Sequence, residues 1–228
     1  MSFQPRPLKW PPIFPLDKGL VAWWPFDDRS GSVLRDRSGK GNHGTLYGPT
    51  WVAGRRGSAL SFDGVDDYVE IPNSDSLGVT ATATFEAWAK IASLPNTYPR
   101  ILSKETGTAA SSFAISVWSN TRQAWLTIAG AMKGRSETVL ADGTWYHIVF
   151  VIGDGLYAKC YVNGKLDYTV GIESGTIPVT TYNLLIGNNP TTERQFHGII
   201  DEVRVYNRAL TAAEIKRLYE TDIMMTRW

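Results

Sequence analysis

Two tryptophans stand where neighbouring strands would bring them together. Residues 112–118 and 124–129 alternate aliphatic and other side chains, which predicts two strands whose aliphatic residues share one face. Trp118 and Trp125 fall on the opposite face, and residues 119–124 form the predicted connecting hairpin. Two exposed indole rings side by side would make a platform for a sugar ring. Alternatively, loops or the N-terminal segment cover this face, and both rings are ordinary core residues.

Acidic residues that could hydrolyse a glycoside are scattered. A retaining glycoside hydrolase needs two carboxyls about 5 Å apart, which two glutamates at alternate positions of one strand would supply. The glutamates ahead of the predicted helix are instead dispersed singly, as Glu70, Glu86, Glu105, Glu137, Glu173, Glu193 and Glu202. The sequence also lacks nucleophile-elbow, zinc-protease and phosphate-loop motifs. We therefore predict that the chain is not an enzyme, with a degenerate or unusual glycoside hydrolase as an alternative.

The predicted elements are short strands bounded by turn residues, a spacing typical of a sandwich or barrel. Asn163-Gly164 predicts a type I′ hairpin, because both central residues of that turn need a positive φ. Thr211 and Glu214 form a capping box ahead of one short helix at residues 212–220. The predicted strands are residues 20–26, 59–62, 67–71, 82–91, 100–104, 112–118, 124–129, 145–152, 157–162, 166–170, 183–186 and 199–206.

Composition excludes several classes of partner. The formal net charge is +1 and the longest basic run is Arg55-Arg56, so no electrostatic footprint for nucleic acid is present. Cys160 is the only cysteine, which excludes an intramolecular disulfide and predicts a buried small apolar residue. No apolar run approaches the roughly 18 residues of a membrane helix, and no signal peptide is visible. We therefore expect no nucleic-acid partner and no membrane insertion.

Motifs between Leu20 and Glu220 follow the order found in one domain family. They are LVAWWPF at 20–26, DRSGKGNHG at 36–44, ALSFDGVDDYV at 59–69, FEAW at 85–88, ILSK at 101–104, WYHIV at 145–149, YVNGK at 161–165 and GIIDEVRVYNRAL at 198–210. Through them the chain resembles the LamG/pentraxin-like domains of the concanavalin A-like lectin/glucanase superfamily. The resemblance implies an all-β, two-sheet antiparallel jelly-roll sandwich over residues 19–221. It leaves the activity open, because fold does not determine function.

The resemblance also implies candidate calcium ligands. In pentraxins, loops that match residues 63–67 and 187–189 supply the ligands, so Asp66, Asp67 and Asn188 are the corresponding candidates. Asp66 and Asn188 would by the same resemblance lie in the carbohydrate-binding site. Carboxylate and carbonyl oxygens are the ligands that Ca²⁺ prefers.

A second implied calcium site resembles the structural ion of related glucanases. It would be held by Asp27 or Asp28 near the first strand and by Asp201 on the late strand. In the alternative interpretation, these acids accept hydrogen bonds from the amides of their own loops, as aspartates commonly do.

The chain ends are unusual. Residues 1–18 form a proline-rich arm that we expect to be extended, because proline fixes φ and lacks an amide donor. The arm is also apolar, so it either packs along its own domain or docks on a neighbouring subunit. Residues 222–228 form an apolar C-terminal tail. The candidate docking residues are Trp10, Ile13, Phe14 and Trp228.

These features predict a non-catalytic surface module with a lectin-like fold. The apolar ends and the lack of a visible leader favour a virion surface component, such as a capsid decoration or tail protein, that can bind glycans. Its partners would be a glycan or another surface protein, including capsid subunits, with oligomerisation through the arm. The alternative is a secreted carbohydrate-binding or adhesion lectin module. The expected location is therefore a virion surface or the extracellular space.

Overall fold

Residues 15–105, 112–153, 156–172, 176–189 and 194–224 are described by the structure, a computed structural model. They contain sixteen strands and one α-helix, which confirms an all-β antiparallel sandwich with a single C-terminal helix. The elements are β1 Leu20–Trp24, β2 Val33–Leu34, β3 Gly44–Tyr47, β4 Thr50–Ala53, β5 Ser58–Asp63, β6 Tyr68–Ile71, β7 Ala83–Ser93, β8 Arg100–Lys104, β9 Phe113–Trp118, β10 Gln123–Ile128, β11 Ala131–Arg135, β12 Trp145–Gly153, β13 Tyr157–Val162, β14 Lys165–Gly171, β15 Leu184–Ile186, β16 His197–Tyr206 and α1 Ala212–Met224.

The strands form two sheets of eight. Sheet A has the order β14-β13-β12-β7-β16-β5-β4, with β1 paired to β16. Sheet B has the order β11-β10-β9-β8-β15-β6-β3-β2. The four strands β2, β3, β4 and β11 are short, lie at or next to a sheet edge, and were absent from the sequence prediction.

The core lies between the sheets. Alternate residues of the strands face inward, among them Phe85 and Phe150 from sheet A and Phe113 and Ile115 from sheet B. Burial of each such side chain stabilises the fold by about 1.5–3 kcal/mol. The opposite side chains of each strand form the outer face of its sheet, the face turned away from this core.

Two local predictions are confirmed. Asn163 and Gly164 have φ values of 51° and 74°, as a type I′ hairpin requires. The Glu214 amide donates to Thr211 Oγ1, and the Thr211 amide donates to Glu214 Oε2, which is a capping box. The helix runs to Met224, beyond the predicted end at residue 220, because the buried Asp222 anchors its last turn.

Most of the proline-rich arm lies outside the described residues. Its last residues, Pro15–Asp17, form a single 3-10 turn rather than the expected extended chain, and Leu16 packs against a small apolar cluster that includes Leu20 and Leu218. Cys160 is a buried free thiol. Within the described part of the chain, no helix has both the length and the apolarity to cross a bilayer.

Candidate functional site

The β9–β10 hairpin displays two tryptophans on the outer face of sheet B. Val117 and Leu126 point into the core, so Trp118 and Trp125 emerge on the other side. The turn between the strands closes where the Arg122 amide donates to the Trp118 carbonyl at 2.6 Å. Arg122 has a positive φ of 57°, and its guanidinium Nε donates to the Leu140 carbonyl.

Tyr98, Trp118 and Trp125 form one group of rings, here called the aromatic platform. The tryptophan ring centroids are 4.7 Å apart at an interplanar angle of 75°. Tyr98 stacks on Trp118 at 5.9 Å and lies 6.1 Å from Trp125. All three side chains are half-buried and lie outside the apolar core clusters. The structure thus brings the two predicted tryptophans together and adds Tyr98, which sequence reasoning missed.

Charged side chains lie along one side of the platform. Arg100 donates from Nε and Nη2 to the two carboxylate oxygens of Glu105, at 2.6 and 3.2 Å. Asn189 Nδ2 lies 3.5 Å from Glu105 Oε1. The Arg194 guanidinium lies over the Tyr98 ring, 5.3 Å from its centroid. Burial lowers the pKa of Arg100, an effect that Glu105 opposes and the nearby charge of Arg194 reinforces.

Two buried polar atoms at the platform have no hydrogen-bond partner among the residues that the structure describes. These are Trp125 Nε1 and Ser116 Oγ, on residues that face each other across β9 and β10. A buried donor left unpaired costs about 1–3 kcal/mol. Such atoms mark a place where a bound molecule or a water can supply the missing partner.

The other predicted binding residues reach the same end of sheet B. Ile186 of β15 pairs with Val69 of β6 in antiparallel register. Asn188 follows Ile186 by two residues and Asp67 precedes Val69 by two, so both lie just beyond the same end of this strand pair. Four strand spacings separate β6 from β10, about 19 Å at the usual spacing. Asp66 and Trp125 therefore lie at the two sides of one long edge and do not share a small pocket.

The loop between β5 and β6 holds three carboxylates. Oxygens of Asp63, Asp66 and Asp67 all lie within 4.8 Å of one another. Asp63 Oδ1 accepts from the Val65 amide, and Asp67 Oδ2 accepts from the Asp63 amide. Burial raises the pKa of Asp67, and the charges of Asp63 and Asp66 raise it further. Three crowded carboxylates have the oxygen chemistry that suits Ca²⁺; Asp63 was not among the predicted ligands.

Asn188 is buried, and both of its oxygens have partners. Its carbonyl accepts from Ser103 Oγ at 2.7 Å, and its Oδ1 accepts from the Asn189 amide at 2.7 Å. These bonds hold the 187–189 loop on the outer face of β8. A direct role of Asn188 in calcium or glycan binding stays a prediction.

Asp27 and Asp201 brace the turn between β4 and β5. Asp27 Oδ1 accepts from the Ser58 amide at 3.3 Å, and Asp201 Oδ2 accepts from the Arg56 amide at 3.0 Å. Burial raises the pKa of Asp201, and the neighbouring carboxyl of Glu202 adds to this. Both acids thus accept hydrogen bonds from backbone amides, but these amides belong to the distant β4–β5 turn rather than to their own loops. A calcium role for this pair also stays a prediction.

Sheet A carries a buried group of charges that sequence reasoning missed, here called the ionic cluster. Arg204 of β16 donates to Glu86 at 2.7 Å, to Glu202 at 2.5 Å and to Asp222 of α1 at 3.3 Å. His147 Nε2 lies 2.9 Å from Glu86 Oε1. All five residues are at most 5% exposed. The dispersed glutamates of the sequence thus include two that meet through one arginine.

Indole groups complete this cluster. Trp23 Nε1 donates to Glu202 at 2.9 Å, and Trp88 Nε1 donates to Asp222 at 3.0 Å. Burial raises the pKa of Glu202 to about 8, although Arg204 favours its charged form. Oxygens and nitrogens of Glu86, His147 and Asp222 lie close enough to hold a metal ion, but the Arg204 cation already bonds both carboxylates. The cluster therefore fastens α1 to sheet A.

The predicted docking residues Trp10, Ile13, Phe14 and Trp228 lie outside the described residues. Their roles stay predictions.

Comparison with known proteins identifies the class of the domain. Residues 63–216, more than half of the chain, match the Laminin G family of the concanavalin A-like lectin/glucanases superfamily. The chain belongs to this family. Part of the Danio rerio protein adhesion G-protein coupled receptor V1 is 26% identical to it over 152 residues, which is 62% of this chain and 2% of the receptor.

Solved structures with the same fold include parts of an arabinanase, a mosquitocidal protein and a sialidase. Domain 4 of AbnA, a GH43 extracellular arabinanase from Geobacillus stearothermophilus determined in complex with arabinotriose, is 21% identical with a TM-score of 0.70, covering 88% of this chain and 98% of that one. The binding domain of Paraclostridial Mosquitocidal Protein 1 is 16% identical, with a TM-score of 0.70 over 90% and 52% of the two chains. Trypanosoma rangeli sialidase in complex with sialic acid is 21% identical, with a TM-score of 0.68 over 91% and 33%.

Proposed function

We propose that this chain is a non-catalytic glycan-binding module and that the aromatic platform is its binding site. The observation that carries the proposal is the group of three half-buried rings on an outer sheet face, next to arginine and amide side chains. Aromatic rings offer large, rigid apolar faces, and polar groups beside them fix the orientation of a ligand. This is the combination that a sugar ring, with apolar faces and a hydroxyl rim, requires.

The related structures support the same class of ligand. The AbnA domain, which is almost wholly covered by the match, was determined with arabinotriose, and the sialidase was determined with sialic acid. The similarity to a segment of an adhesion receptor favours a recognition role. At these identities the structures share a fold, and the ligand of this chain is inferred from its own platform.

The charges beside the platform support binding without catalysis. Glycoside hydrolysis needs two carboxyls, one of which is a free acid or base. Glu105, a carboxylate next to the platform, forms a bidentate ion pair with Arg100. Both oxygens of this carboxylate are thus engaged by the guanidinium, so it is not a free acid or base.

A glycan array with the purified chain tests the proposal, with Trp118→Ala as the site variant and Trp145→Ala as the control. Trp145 is half-buried on sheet A and belongs to no platform. We expect the site variant to lose at least about tenfold in affinity, since buried aromatic anchors dominate binding energy, and the control to bind as the parent does. Thermal unfolding checks that both variants are folded. Equal binding by the Trp118 variant, or no bound glycan at all, would contradict the proposal.

We also propose that the Asp63, Asp66 and Asp67 loop binds calcium. The mutual repulsion of three carboxylates within 4.8 Å supports this, because a divalent cation relieves it. Excess calcium should raise the melting temperature relative to chelator, by the equivalent of about 2.7 kcal/mol at a hundred times the dissociation constant. Asp66→Asn should abolish the shift, whereas Asp142→Asn, an exposed acid elsewhere, should keep it. An unchanged melting curve would remove the calcium proposal.

A position on a virion surface remains a prediction about the whole chain. It is tested by deleting residues 1–16. The expected outcome is a folded domain that oligomerises or binds particles less well, whereas loss of folding would show that the arm is part of the core.

A further inference from the structure

The charges beside the platform do not balance. Arg100 is neutralised by Glu105. Arg194 is half-buried, lies over Tyr98, and has no carboxylate of the described residues within ion-pair distance. Its backbone carbonyl accepts from the Arg100 amide at 2.8 Å, which fixes the chain at this point. Among the described residues, two guanidinium groups therefore accompany a single carboxylate at the edge of the platform.

The neutral groups there also offer donors. Trp125 Nε1 can only donate, and it is without an acceptor. Asn96 Nδ2 donates to Gln195 Oε1 at 2.9 Å, whereas among the described residues Trp125 Nε1 has no acceptor and Arg194 no carboxylate partner. A ligand that complements this edge has to bring hydrogen-bond acceptors and, for charge balance, one negative charge.

We propose that the platform selects an acidic oligosaccharide, whose carboxylate pairs with the Arg194 guanidinium while a sugar ring lies on Trp118 and Trp125. This inference rests on the proposed glycan-binding function and specifies its ligand class. The planar guanidinium fork matches a carboxylate with two parallel hydrogen bonds. Stacking on Tyr98 holds the guanidinium in place before the ligand arrives, which reduces the entropy lost on binding.

A neutral glycan on the same surface would be disfavoured for a physical reason. A ligand that covers the platform removes water from Arg194, and a cation that loses water without gaining an anion is destabilised. The acidic glycan offsets this loss. Charge therefore contributes selectivity as well as affinity.

Two copies of one glycan array separate this inference from the function on which it rests. One copy is left untreated, and on the other the carboxylates of uronic and sialic acids are converted to neutral methylamides. We expect the parent chain to bind a set of acidic glycans on the first copy and to lose at least about tenfold in affinity for them on the second, as expected for a charged hydrogen bond. Raised salt should weaken only the binding to the untreated copy.

The variant Arg194→Gln tests whether Arg194 is the residue that pairs with the carboxylate of the glycan. The variant should bind the untreated acidic glycans no better than their amidated forms, while Lys159→Gln should behave as the parent does. Lys159 is a matched control, because its ammonium also lies over a tyrosine, 4.7 Å from the ring of Tyr157, but on sheet A. Equal binding to both copies, or an unchanged preference in the Arg194 variant, would overturn the acidic-ligand inference and leave glycan binding intact. If the parent chain bound no glycan on either copy, both the acidic-ligand inference and the proposed glycan-binding function would be overturned.

Discussion

Each sheet carries an arginine on its outer face, and the two arginines have different partners. On sheet A, Arg204 is 5% exposed and donates to three carboxylates. On sheet B, Arg194 is half-buried and has no carboxylate partner among the described residues. Both guanidiniums lie over an aromatic ring, at 5.1 Å from Trp23 and 5.3 Å from Tyr98, so stacking alone does not separate them.

The difference lies in what covers each face. Helix α1 crosses sheet A and places Asp222 against Arg204, so the chain satisfies its own charge and seals it from water. The platform end of sheet B has Trp118 and Trp125 still half-exposed, with an indole donor left over. The same chemistry is therefore structural on sheet A, where the chain supplies the anion. On sheet B no described residue supplies one, and the proposed ligand would.

Substitution of Arg204, on the outer face of sheet A that α1 covers, should have the largest effect on stability. Arg204→Met keeps much of the side-chain volume but removes the cation that bonds all three buried carboxylates. Arg56 still pairs with Glu202 and Asp222, whereas Glu86 loses its only arginine partner among the described residues. Loss of one partner of a buried ion pair costs about 3–5 kcal/mol, so the free energy of unfolding in urea should fall by that amount. Glycan affinity of the folded molecules should be unchanged, because the cluster lies on the other sheet.

Arg35→Met is the control for this variant. Arg35 also pairs with an aspartate, Asp28, but its side chain is 55% exposed, and such pairs contribute about 0–1 kcal/mol. Equal destabilisation by the two variants would show that burial does not distinguish these arginines. A loss of glycan binding in the folded Arg204 variant would show that the two faces are coupled.

Local features of this comparison were predictable from the sequence. The alternation of aliphatic and other residues places Trp118 and Trp125 on one face, and the short hairpin between them brings them side by side. The Asn163-Gly164 turn and the Thr211 cap likewise depend on a few adjacent residues. Each of these interactions spans a short stretch of chain, so periodicity and turn chemistry are sufficient to predict it.

Contacts between distant segments were not predictable in the same way. Glu86 and Arg204 meet across 118 positions of the chain, and the sequence shows them as isolated charges. Arg194 reaches Tyr98 only because the segment before β16 lies against the segment before β8. The family resemblance brought Asp66 and Asn188 to the correct end of sheet B, but it could not give their separation from the tryptophans. Such features depend on strand order, which a single sequence does not contain.

A change of pH should have a smaller effect on the free energy of unfolding, and this effect arises in the ionic cluster of sheet A. Burial raises the pKa of Glu202 from its ordinary 4.5 to about 8. Between these values the folded state keeps a proton that the unfolded state has released, so stability falls as pH rises, by at most about 1.4 kcal/mol per unit. Glu202→Gln removes this titration. The variant should match the parent near pH 4.5 and exceed its free energy of unfolding at pH 8.

Glu214→Gln gives the opposite sign and serves as the reference for the pH series. Hydrogen bonds from Arg208 lower the pKa of Glu214 to about 2, so its stabilising effect is present above pH 4.5 and is lost as pH falls toward 2. Both variants should therefore diverge from the parent at the high-pH end of a urea unfolding series but in opposite directions, Glu202→Gln being more stable than the parent there and Glu214→Gln less stable. If Glu202→Gln instead destabilised the protein at pH 8, its carboxylate would be charged in the folded state, and the outer face of sheet A would hold a fully ionised network.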